Sequence, residues 1–143
     1  ALEHSVVNTA ATAASDGKAV GESGGFLQVS GIKFTIDTSI PSSVKKDDKG
    51  LFVAVEGERR VKDVFVEENG EWVPIDPEKT YTVACHNYLL QDMGDGYTMF
   101  TDNVYILDKV LIANQVIIHY IYDFLGDHVS TVYAEPKGRI TVI

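Results

Sequence analysis

The chain has 143 residues, 45% of them hydrophobic, which is the length of one ordinary domain and enough apolar material to fill its core. Twelve basic against 21 acidic residues give a net charge of -9. A protein this acidic repels a phosphate backbone, and without a lysine or arginine stripe to overcome that repulsion polymeric nucleic acid is excluded as a partner.

In chain order, residues 1–14 are alanine-rich, with Leu2, Val6, Ala10 and Ala13 at helical spacing, and predict a helix with a narrow apolar face. Residues 15–25 carry four glycines and predict a connector. Phe26 to Val29 and Ile32 to Asp37 predict short strands, the second alternating Ile32, Phe34 and Ile36 on one face. Pro41 to Gly50 predicts a polar loop. Val61 to Val66 and Trp72 to Ile75 predict a hairpin, because Asn69-Gly70 between them tolerates the positive φ of a tight turn. Tyr81 to Cys85 predicts a strand, rich in β-branched and aromatic types. Cys85, the single cysteine, allows no internal disulfide and is expected to fill core space.

From Asp108, the expected N-cap, a helix is predicted to about Leu125, with Gly126 as the residue that ends it. Its face of Val110, Asn114, Ile117, Ile121 and Leu125 is expected to pack on the sheet. This apolar stretch, interrupted by Asn114, Gln115, His119 and Asp123, is not expected to make a membrane span, and no signal peptide is read within these residues. Gly138 to Ile143 predicts a closing strand. The expected fold is α+β, a mixed sheet with two longer helices packed on it, in one domain over residues 1–143.

The segment YTVACHNYLLQDMGDGYTMF, residues 81–100, carries the candidate site. Tyr88 offers an aromatic face and Asp95 an ionised carboxylate, a pair that suits a ligand with a ring and paired hydroxyls, as a nucleoside has. Gly94 and Gly96 flank Asp95 and permit a tight turn with close approach of backbone to a bound molecule. A plain Asp-Gly turn is the alternative. Asn87 is expected to brace the turn through its side-chain amide, and His86 either meets a base edge or fills polar space. His4, His86, His119 and His128 show no metal-ligand spacing, and Cys85-His86 would point to opposite faces of a strand, so no metal site is expected. Glu67, Glu68 and Glu71 are expected to make a solvated turn, and Asp127-His128 a solvated loop.

Five blocks, ALEHSV, GGFLQVSGIKFTID, IDPEKTYTV, HNYL with GDGYTMF, and GRITV, resemble the C-terminal domain of the 5'-nucleotidase and UDP-sugar hydrolase family, in that family's order. The resemblance implies a substrate-binding domain of a secreted hydrolase that removes phosphate from nucleotides, placed extracellularly, on the cell surface or in the periplasm. It implies Tyr88 as one of two aromatics that sandwich the base and Asp95 as the acceptor for the ribose hydroxyls. It also implies two divalent metal ions in a separate metallophosphoesterase domain, whose Asp-x-His and Gly-Asn-His-Glu motifs this chain lacks.

The first stacking aromatic, with its PF-x-N and NGG-x-R segments, has no counterpart here either, and the chain starts at Ala1 without an initiator methionine. A piece of a longer protein is therefore expected, inactive alone and prone to self-association through uncovered apolar surface. Met93 stands where relatives have glycine, and Tyr88 lies seven residues before Asp95 instead of six. A non-catalytic binding module that keeps the fold is the alternative function.

Overall fold

The computed structural model describes residues 1–9 and 24–143. The first helix, expected over residues 1–14, ends at Ser5 with a turn over residues 6–8. The rest of that expectation from residue 10, and the connector expected at 15–25 apart from Gly24 and Gly25, lie outside the described residues. A short helix α1 (Leu2–Ser5) is followed by strands β1 (Ile32–Ile36), β2 (Val44–Lys46), β3 (Phe52–Val55), β4 (Val61–Glu68) and β5 (Glu71–Pro74). Helices α2 (Asn87–Leu90), α3 (Ala113–His119) and α4 (Val129–Val132) then precede strand β6 (Ile140–Val142). The fold is α+β, and its main sheet has the order β5-β4-β1-β6.

That sheet is mixed. Strand β1 runs antiparallel to β4 and parallel to β6. Asn69 and Gly70 both take positive φ, 53° and 84°, so β4 and β5 meet in the turn whose twist matches that of the strands. Two β4 residues, Asp63 and Val64, face the single Phe34, and Asp63 absorbs the extra residue at φ 49°.

Alternation in β1 buries Phe34 and Ile36, which with Val6 form the centre of the core. Leu2 from the helix, Phe26 and Val29 from the following segment, and Val61, Val64 and Ile140 from the sheet close around it. Each fully buried side chain of this kind contributes about 1.5 to 3 kcal/mol relative to exposure. Helix α1 is anchored to the same layer by polar side chains that are themselves buried. Glu3 Oε1 accepts from the Val61 amide at 2.9 Å, Ser5 Oγ accepts from the Leu27 amide at 2.7 Å, and Arg60 donates to the Val6 carbonyl at 3.0 Å.

Several expectations are corrected. Phe26 and Val29 pack on the core from a segment that joins no strand among the described residues, and the loop expected at 41–50 contains β2, hydrogen-bonded to β3 in a separate two-stranded sheet. Residues Tyr81 to Cys85 form no strand, because a strand exists only through its ladder and the main sheet is complete without them. Cys85 is accordingly exposed instead of filling the core. Asp108 does not cap a helix; it accepts from Gln91 Nε2 at 2.7 Å, and the helix starts at Ala113 with Ile112 before it.

That helix continues into a π-turn over Tyr120–Phe124. Gly126 ends it as expected, at φ 55° with the Asp127 amide bonded back to the Ile121 carbonyl. Its apolar residues do not pack on the sheet, however, and Ile117 is 61% exposed. The reason is occupancy: the buried face of the sheet is already covered by α1 and Phe26–Val29.

Candidate functional site

Residues 87–97 fold as a one-turn helix followed by a tight turn, and both are positioned by contacts from elsewhere in the fold. His86 caps α2, its Nδ1 accepting from the Tyr88 amide at 3.1 Å, so the imidazole holds the helix start that presents Tyr88. The Asn87 carbonyl accepts from the Gln91 amide at 2.7 Å and the Asp92 amide at 3.3 Å. Among the described residues its side chain makes no hydrogen bond, so the bracing runs through its backbone, not through its amide group.

Met93 and Asp95 take left-handed φ of 54° and 51°, and Gly96 takes 85°. Each such non-glycine residue costs on the order of 1 kcal/mol or more and persists only where its surroundings impose it. Local bonds supply part of that constraint: the Gly96 amide donates to the Met93 carbonyl at 3.0 Å and the Tyr97 amide to the Gly94 carbonyl at 3.2 Å.

The expected pair is brought together despite the longer spacing. Tyr88 Oη lies 3.5 Å from Asp95 Oδ1. A Cβ built on Gly94 would stand 2.3, 2.4 and 2.5 Å from three consecutive ring carbons of Tyr88, a near-equal set that places Gly94 against the face of the ring. One face of the tyrosine is therefore seated on the turn, and with 47% of the residue exposed the opposite face is open among the described residues.

Asp95 also borders a polar cleft of about 200 Å³ lined by His4, Val7, Asn8, Gly24, Gly25 and Lys46. Gly25 and Gly96 are tight approaches: a Cβ on Gly25 would meet Asp95 Cβ at 3.0 Å, and one on Gly96 would meet the Gly50 carbonyl at 2.7 Å. Tyr97 is fully buried behind the turn and its hydroxyl donates to the Gly25 carbonyl. Burial pushes that hydroxyl up to about 12, so it stays a donor.

Sequence reasoning missed His4, Gly24, Gly25 and Tyr97. His4 is 4% exposed, and its Nε2 donates to the Asp95 carbonyl at 2.7 Å. Its ring stands edge-on to Tyr97 at 4.7 Å and to Phe52 at 5.7 Å. The signal was present in the ALEHSV and GGFLQ blocks, but nothing local connects His4 to a turn 91 residues away.

Burial lowers the His4 pKa from 6.5, and the hydrogen bond to the Asp95 carbonyl offsets only part of that. Below about pH 6.5 the unfolded chain takes up a proton that the folded chain resists, so stability falls as pH drops and is unaffected by this group above that value. Thermal melts of wild type and His4→Gln between about pH 5 and 7 should show the steeper acid loss in wild type. Equal slopes would mean that another group controls the transition.

Among the described residues no three His, Cys, Asp or Glu side chains converge as a cation requires. No helix among them is long and apolar enough to cross a membrane.

Comparison with known proteins bears on the family and the fold. Residues 1–102 match the family model described as "5'-nucleotidase, C-terminal domain". No curated protein sequence matches the chain. Among solved structures, the 5'-nucleotidase precursor from Thermus thermophilus superposes with a TM-score of 0.59 at 27% identity, over 85% of this chain and 20% of that one. The chain thus spans about a fifth of the length of that protein. With the ALEHSV helix, the GFLQ segment and the GDGY turn converging inside the matched residues, the chain belongs to the 5'-nucleotidase C-terminal domain family.

Proposed function

We propose that this domain binds the nucleoside half of a nucleotide for a secreted or surface-located phosphoric ester hydrolase of the 5'-nucleotidase type. The observation that carries the proposal is the placement of the open Tyr88 face beside the Asp95 carboxylate, with Gly94 under the ring. A base stacks on the tyrosine, and the carboxylate accepts hydrogen bonds from the two ribose hydroxyls. Gly94 and Gly96 supply the room for that turn, and Asn87 supplies the backbone link between α2 and its exit.

These residues bind and orient, and none of them is placed to break a bond. The bond-breaking chemistry is assigned to a metallophosphoesterase domain with two divalent metal ions, which supply an activated water for attack on phosphorus. The domain alone is accordingly proposed to be inactive. The acidic surface is compatible with a mononucleotide, because only base and sugar touch this domain.

Asp95→Asn tests the sugar assignment. Binding of adenosine to the chain, followed by NMR titration, should weaken about tenfold or more, as loss of hydrogen bonds to a charged group does, while 2',3'-dideoxyadenosine is little affected. Equal losses for the two ligands would remove the ribose role and leave a plain turn or a binding module of another kind.

The same proposal extends to how the chain behaves by itself. Val104, Ile106 and Leu107 are 89, 72 and 77% exposed, and Val110, Ile112 and Ile117 are 62, 66 and 61% exposed. The chain's charge lies elsewhere: residues 103–143 hold four acidic and three basic groups, against 17 and nine in residues 1–102. Exposed apolar side chains this frequent along a nearly neutral segment associate, so sedimentation should show a concentration-dependent dimer. A single monomeric species at high concentration would contradict it.

A further inference from the structure

We propose that His4 is a positioning residue for ligand binding: its Nε2 donor fixes the left-handed peptide of Asp95 and so aims the Asp95 carboxylate. This rests on the nucleoside reading above and adds to it a residue that acts through the Asp95 peptide.

The argument starts from what the turn requires. Asp95 sits at φ 51°, a conformation an L-residue leaves unless it is held, and a site of this kind works only when its groups stay within about 0.5 Å of the productive geometry. The local turn bonds hold the Tyr97 amide and the Gly96 amide, the latter being the nitrogen end of the Asp95–Gly96 peptide. The Asp95 carbonyl is fixed from outside the turn by His4 Nε2 at 2.7 Å. With both ends of this peptide held, one by Met93 and one by His4, the plane cannot tilt, and a tilt would shift the Asp95 Cα and with it the carboxylate.

His4 is itself immobilised. The residue is 4% exposed, its ring is wedged edge-on between Tyr97 and Phe52, and a Cβ on Gly96 would press on that ring at 3.3 Å. Helix α1 does not depend on the His4 bond for its own place. It has independent anchors from Glu3 to the Val61 amide and from Ser5 to the Leu27 amide. The His4 bond therefore ties the core to the turn, and its removal acts on the carboxylate before it acts on the fold.

The experiment measures adenosine against 2',3'-dideoxyadenosine on the full chain by NMR titration, in wild type, His4→Gln, His4→Asn and His4→Phe. Glutamine carries its amide nitrogen where histidine has Nε2, whereas asparagine carries it where histidine has Nδ1. Wild type and His4→Gln should prefer adenosine about tenfold or more. In His4→Asn and His4→Phe that preference should collapse to about unity, with dideoxyadenosine affinity unchanged because stacking on Tyr88 is untouched.

Preference retained in His4→Phe, or lost equally in His4→Gln, overturns the proposal. Absence of any preference in wild type instead removes the ribose role of Asp95, a separate failure. If the phenylalanine variant does not fold, the wild-type His4 Nε2–H resonance decides: it should shift when adenosine is added and stay put with dideoxyadenosine. No shift with adenosine counts against the positioning role.

Discussion

Gly94→Ala is expected to weaken nucleoside binding as severely as Tyr88→Ala, although the glycine carries no chemistry. Its new Cβ would stand 2.3 to 2.5 Å from three ring carbons of Tyr88, far inside contact distance, so the ring has to leave its seat. The backbone at Gly94 is not in the left-handed region, so alanine brings no conformational strain of its own. Tyr88 is half exposed and can swing into solvent at little cost to stability. Stacking of a base on an aromatic is worth about 1 to 3 kcal/mol, which corresponds to a rise of roughly 5- to 150-fold in the KM for AMP of a nucleotidase carrying this domain. Both variants act through one ring, so the double substitution should be no worse than either single one. A Gly94→Ala enzyme with unchanged KM would show that the seated ring is not what holds the base.

Phe34→Ala is expected to have the largest effect on stability. Phe34 is 2% exposed at the centre of the cluster with Val6 and Ile36, pinned by β4 on one side and β6 on the other. Truncating a buried phenylalanine costs about 3 to 5 kcal/mol, a large part of the 5 to 15 kcal/mol that a domain typically has. The melting temperature should fall on the order of 10 to 20 °C. Phe65 lies on the opposite face under the Lys33 ammonium, 5.0 Å from its ring centre, and Phe65→Ala should cost much less. Comparable losses from the two variants, measured by denaturant titration, would mean that the core is centred elsewhere.

The β4–β5 hairpin was legible in the sequence because its information is local: Asn69-Gly70 sets the turn, and the turn sets the register. Strand β1 was legible because Phe34 and Ile36 alternate with half-buried neighbours. Residues 81–85 misled for the opposite reason. Tyr81, Val83 and their neighbours have strand composition, but composition does not supply a hydrogen-bonding partner, and Val83 is left 60% exposed. The helix after Asp108 was placed correctly in its second half, where Gly126 ends it, and incorrectly at its start, where Asp108 is drawn to Gln91.

Within the candidate site, Tyr88, Gly94, Asp95 and Gly96 were recoverable as a contiguous motif whose glycines make room for its other members. His4, Gly25 and Tyr97 were not, since each acts through a contact that bridges distant segments. Their buried bonds are seen only once α1, the GFLQ segment and the turn are packed together.

The parallel pairing of β1 with β6 bears on how this domain comes to be folded. The Thr38 hydroxyl donates to the Ile143 carbonyl across 105 residues, and the Phe34 amide donates to the Arg139 carbonyl beside it. The β4–β5 hairpin forms in about 1 to 10 μs, whereas contacts this far apart carry the full entropy of closing a long loop. A chain leaving the ribosome would therefore hold β1 against β4 with its other flank bare until residues 139–143 arrive. In pulse-labelling exchange, the Phe34 and Thr38 amides should be the late ones, protected well after those of the hairpin.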